Sequence, residues 1–208
     1  STEGAELVIG FTVTGTAKRP IGKGGARPGD ALILTKPIGS GIVLASEMAM
    51  AELSGGLLGE AWATCIEQMC RSQGSAARLL APVAQAMTDV TGFGLAGHLL
   101  EMLEASGVAA RLDLPAIPFL PGAVELAQAG LGSSLQPANA AAVSWRMTAP
   151  ASDPRVDLLT DPQTSGGLLA FVPRGQVKGL LAALRLKRHE AAVIGEAVSG
   201  TPHLTVLQ

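Results

Sequence analysis

The stretch Ala86-Met87-Thr88-Asp89-Val90-Thr91-Gly92-Phe93-Gly94-Leu95-Ala96-Gly97-His98-Leu99-Leu100-Glu101 decides the fold class. Ala86 to Val90 reads as a short apolar strand. From Phe93 to Ala105, Leu95, Leu99, Leu100 and Leu103 recur with the spacing of one helix face. Ser106-Gly107 stops that helix. A tight glycine-rich turn joins strand to helix. Such a turn is where α and β proteins bring backbone close to a ligand, and the free N–H groups of a helix start attract anions.

The same alternation runs outward in both directions. Toward the N-terminus, Leu7 to Thr16 is rich in β-branched residues and predicts a strand. Residues 18–30 form a basic, Gly/Pro-rich loop. Ala31 to Thr35 is a buried strand and Ile42 to Leu53 a helix. Leu57 to Cys70 and Ser75 to Val83 predict a helix pair broken at Gly74. Toward the C-terminus, Ala109 to Leu114 predicts a strand, and the three prolines from Leu114 to Pro121 an irregular segment. Short helices follow at Ala123 to Ala129 and Ala138 to Ser144. Val156 to Thr160 reads as a strand, as does Leu168 to Val172. Gln176 to Leu186 is a helix, and Ala191 to Val198 and His203 to Leu207 are the last strands. The class is α+β, a mixed β-sheet with flanking helices.

Composition narrows the function. Fifteen Lys+Arg against 17 Asp+Glu give a net charge of -2 over 208 residues, so the basic footprint of a nucleic-acid binder is missing. Four Phe, two Trp and no Tyr leave no base-stacking platform. A 48% hydrophobic content argues against disorder. Mean hydropathy is +0.37, yet the longest uncharged stretch, Leu126 to Trp145, is interrupted by Gln, Asn, Ser, Gly and Pro. No membrane span is expected. The chain opens at Ser1 without Met or a signal peptide, which suggests a piece of something longer. Cys65 and Cys70 match no metal or redox spacing and read as reduced structural thiols, giving a cytoplasmic expectation.

Three polar, Gly-rich segments each follow a strand: Lys36 to Gly41, Asp89 to Gly94 and Asp161 to Gly167. In the first the Lys precedes the glycines, so it is no Walker loop. Asp89 has two open readings, a ligand for a hard cation such as Mg²⁺ or a helix-capping turn residue. His98 reads as a satisfied helix histidine, because no Ser, Cys or carboxylate partner is evident nearby in sequence. His189 and His203 read as surface or strand positions. Lys18, Arg19, Lys23 and Arg27 read as a solvated loop.

Taken together, Gly29 to Gly41, Thr88 to His98 and Asp161 to Leu169 resemble the C-terminal part of the selenide, water dikinases, within the aminoimidazole-ribonucleotide-synthetase-like superfamily. The resemblance, which includes Thr14-Gly15-Thr16, spans essentially the whole chain. It implies a C-terminal domain over 31–208, a linker over 18–30, and a residual strand of an N-terminal ATP-binding domain over 1–17. It implies a homodimeric, cytoplasmic parent enzyme of selenium metabolism and selenocysteine biosynthesis. That enzyme makes selenophosphate, AMP and phosphate from ATP, selenide and water, with Mg²⁺. Asp89 falls on the metal-binding aspartate. Thr91, Gly92, Asp161, Gln163, Thr164, Ser165 and Gly166 are the expected phosphate and substrate-cleft residues. No catalytic residue is expected here, since the reactive Cys or selenocysteine and its Lys belong to the N-terminal half. The piece alone is expected to be inactive. Rival readings are another ATP-using member of the superfamily, or an interaction module keeping the fold without the chemistry.

Overall fold

A computed structural model describes residues 10–17, 19–51 and 56–208. The strands are β1 (Ala31–Leu34), β2 (Ala86–Asp89), β3 (Ala109–Asp113), β4 (Met147–Thr148), β5 (Leu168–Val172), β6 (Ala192–Val198) and β7 (Leu204–Leu207). They form one sheet in the order β2-β5-β1-β6-β3-β7-β4. The β3–β7 and β7–β4 pairs are parallel and the others antiparallel, so the sheet is mixed as expected.

Alternation along the central strands divides the core in two. Leu32 and Leu34 of β1, with Leu169 and Phe171 of β5, face the larger cluster. Ala31, Ile33, Ala170 and Val172 point the other way, into the smaller one. A strand covered on both faces reads as an unbroken apolar run, which explains Ala31 to Leu34. Helices α1 (Ser40–Met48), α2 (Leu57–Cys70), α4 (Gly94–Ser106), α5 (Ala123–Gln128), α6 (Gln136–Val143) and α7 (Arg155–Leu158) contribute to the larger cluster. On the opposite face, α3 (Gly74–Leu80) and α8 (Val177–Leu186) close the smaller one.

Two expectations change. Residues 156–160 are not a strand, because Asp153 Oδ1 accepts the backbone N–H of Arg155 at 3.0 Å in a local turn that leads through Pro154 into the short helix α7. The strand expected over 7–16 is absent from residues 10–16, and residues 7–9 lie outside the described residues. A strand exists only through its ladder, and no described strand pairs with this segment; Phe11 and Val13 are 89% and 93% exposed.

Candidate functional site

The three Gly-rich segments meet in space, and the Asp161–Gly167 turn joins the other two. Helix α1 begins after Gly39, whose φ of 119° suits glycine, and no side chain of its own caps it. The turn supplies the cap instead. Gln163 Oε1 accepts the N–H groups of Gly39 and Ser40 at 2.8 and 3.1 Å, and the Ser40 hydroxyl at 3.1 Å. Asp161 Oδ2 accepts Ile42 N–H at 2.9 Å. Thr164 N–H returns a bond to Ser40 Oγ at 2.8 Å. A carboxylate and an amide thus serve the positive end of a helix distant in sequence.

Close approach explains the glycines. A Cβ on Gly41 would lie 2.7 Å from both Asp161 carboxylate oxygens, and one on Gly167 2.6 Å from Lys36 N. Lys36 is buried and donates through Nζ to Ser165 O at 2.8 Å. Its ammonium is pushed below the usual lysine range by burial and by the Arg71 charge. Asp161 is buried, and that burial raises its carboxyl to about 6 against the hydrogen bonds that favour its charge. Beside it, the Cys65 thiol is raised to about 11 by burial and then by the Asp161 charge. Cys65 is a buried, unreactive free thiol as expected, whereas Cys70, also free, is exposed.

The Asp89–Gly94 segment forms the rim. Gln163 N–H donates to Thr91 O at 2.9 Å, and Val90 N–H to Gly167 O at 2.9 Å, so the rim hangs on the same turn. Asn139 Nδ2 of α6 donates to Gly92 O and Thr160 O at 2.9 and 3.0 Å. Asp89, Gly92 and Phe93 are exposed and Thr91 is half-buried. Among the described residues the Asp89 carboxylate has no hydrogen bond or ion pair. No three His, Cys, Asp or Glu side chains among them gather to hold a metal ion. Asp89 therefore fits one ligand of a hard cation and not a complete site.

The expected cleft residues divide by exposure. Thr164 and Ser165 are exposed and Gly166 is half-buried, while Asp161 and Gln163 are buried and spend their side chains on α1. Ser40 and Lys36, which the sequence reading left without roles, are the partners in this web. His98 is a buried, hydrogen-bonded helix histidine as read, although its neighbours were not evident in the sequence. Its Nε2 is hydrogen-bonded to Thr91 Oγ1 at 3.1 Å, while Glu101 Oε2 lies 3.3 Å from Nδ1, which itself makes no hydrogen bond. The i, i+3 spacing of His98 and Glu101 on a helix was the available signal. His189 is not a surface residue but buried, with Nε2 2.7 Å from Ser75 Oγ.

Comparison with known proteins fits this architecture. The family described as "AIR synthase related protein, C-terminal domain" matches residues 27–206. The chain belongs to that family. Over 209 residues it is 37% identical to the selenide, water dikinase of Myxococcus xanthus, covering 97% of this chain and 58% of that relative. The chain thus spans under two thirds of the length of that relative. Two solved structures share the AIR synthase-like fold. Escherichia coli HypE matches with a TM-score of 0.64 and 20% identity, covering 90% of this chain and 49% of that one. The thiamine-monophosphate kinase of Stenotrophomonas maltophilia matches with a TM-score of 0.63 and 18% identity, covering 89% and 52%. No helix among the described residues is long and apolar enough to cross a membrane.

Proposed function

We propose that this chain is the C-terminal domain of an ATP- and Mg²⁺-dependent selenide, water dikinase and forms one wall of its active site. The observation carrying this reading is the exposed, unpartnered Asp89 carboxylate at the end of β2, in a chain 37% identical to such an enzyme along 97% of its length. The reaction converts ATP, selenide and water into selenophosphate, AMP and phosphate. Phosphoryl transfer asks a protein chiefly for positioning and charge stabilisation. Mg²⁺, when bound, would neutralise phosphate charge. Asp89 would be one of its ligands, with the nucleotide phosphates and carboxylates of the N-terminal domain as the others.

The remaining residues act from two distances. Thr91, Gly92, Thr164, Ser165 and Gly166 line the cleft toward the substrates. Asp161 and Gln163 work from behind, fixing α1 and the rim in one arrangement. The parent is a cytoplasmic homodimer feeding selenocysteine biosynthesis, and the domain alone is catalytically silent. The test is selenide-dependent ATP consumption by the full-length protein carrying Asp89→Ala. Activity falls at least about 100-fold and rising Mg²⁺ recovers part of it. Unchanged activity and Mg²⁺ dependence would remove Asp89 from the metal site.

A further inference from the structure

Behind the rim lies an arrangement that the metal and phosphate roles do not use. The His98 imidazole lies between Thr91 Oγ1 and the Glu101 carboxylate. Nε2 is 3.1 Å from the hydroxyl and Nδ1 is 3.3 Å from Oε2. Lys23 Nζ holds the same Oε2 at 2.7 Å, from the loop before β1. His98 is buried, and the Phe93 ring lies over it with centroids 5.5 Å apart. Only the hydroxyl end reaches the rim, where Thr91 is half-buried and follows exposed Asp89 by two residues.

The charge beside the imidazole bears on the direction of its hydrogen bond to Thr91. Nδ1 is buried and makes no hydrogen bond, and Glu101 Oε2, 3.3 Å away, stands beside it close enough for its charge to act but without hydrogen-bond geometry. A carboxylate charge at that distance favours the tautomer with the proton on Nδ1. Nε2 is then an acceptor, so the Thr91 hydroxyl donates inward and turns its lone pairs toward the cleft. A hydroxyl so held is a poor donor to phosphate and a good acceptor from water. This is the layout of a hydroxyl–imidazole–carboxylate relay.

We propose that Thr91, His98 and Glu101 orient the water consumed in the reaction and take its proton, an inference that rests on the dikinase reading above. As the water oxygen bonds to phosphorus, its proton passes to Thr91 Oγ1 while the Thr91 proton passes to His98 Nε2. The phosphorus–oxygen bond to the leaving phosphate group breaks, and the departing oxygen takes the electron pair. Glu101 stabilises the resulting imidazolium, which returns the proton to solvent. Thr91 touches the water; His98 and Glu101 are positioning residues that act through it.

Two measurements test the relay. In this chain, nitrogen NMR of His98 shows the tautomer protonated at Nδ1; a proton on Nε2 overturns the proposal. In the full-length protein, Thr91→Val and His98→Gln each lower kcat about 100-fold with KM for ATP nearly unchanged, and Thr91→Ser restores most of it. The double variant is no worse than either single one, because the groups act as a unit. If wild type is active but the losses multiply, or fall on KM, the relay is wrong and the dikinase reading stands. If wild type shows no selenide-dependent ATP consumption, the dikinase reading fails and takes the relay with it.

Discussion

Asp161 shows how one buried side chain couples the site to the stability of the fold. Its carboxylate caps α1 through Ile42 N–H, yet burial raises its carboxyl to about 6. An unfolded aspartate titrates near 3.9. Between roughly pH 4 and 6 the folded chain therefore binds the extra proton, and stability falls as pH rises through that window. The cost at pH 7 is on the order of 3 kcal/mol. Asp161→Asn removes the titration. Urea unfolding at several pH values should show wild type losing stability relative to the variant as pH rises from 4 to 6. Parallel profiles for the two proteins would contradict this assignment. Gln163 has no such charge and caps more directly. Gln163→Ala leaves the Gly39 and Ser40 N–H groups without their acceptor and should cost about 2 kcal/mol, read as a lower urea midpoint.

At the scale of elements, the strand-to-helix turn at Gly94 is a tightly constrained joint. Its φ is +71°, and a Cβ there would lie 2.8 Å from Thr160 C and 2.9 Å from the carbonyl oxygens of Leu159 and Asp161. Gly94→Ala combines left-handed strain with overlap against backbone that cannot yield. About 3 kcal/mol is expected, seen as a lower Tm and faster amide exchange across 89–94. Much of this level was legible in the sequence. Helix α2 follows its apolar pattern from Leu57 to Cys70, and Ser106-Gly107 does end α4, with Gly107 left-handed at φ 66°. Residues 156–160 misled because Val156, Leu158 and Leu159 are apolar without being extended; a local turn at Asp153 outweighed their pattern. The two-residue β4 is too short to leave a periodic signal. The sequence marked all three Gly-rich segments as site material. It could not show that Gln163 would reach Gly39, since that contact depends on β1 and β5 pairing across the sheet.

Over the whole molecule, the sheet is covered on both faces, so its central strands need no outside partner to stay buried. The candidate chemistry, by contrast, stops at a rim. Asp89, Thr164 and Ser165 are exposed, and no complete metal cluster stands among the described residues. Folding competence and catalytic competence should therefore separate. The isolated chain should unfold in one cooperative transition, because the paired strands β1 and β5 each send side chains into both core clusters. It should bind Mg²⁺ only at millimolar concentration or weaker, since one carboxylate with water completing the shell gives little affinity. Supplied with ATP, selenide and Mg²⁺, it should form AMP no faster than a blank, while the full-length protein turns over. Calorimetric titration with Mg²⁺ and direct AMP measurement on the same preparation check both halves. Turnover by the isolated chain would mean that the described residues hold a complete active site, with Asp89 no longer one ligand among several but part of a centre lying wholly within this domain.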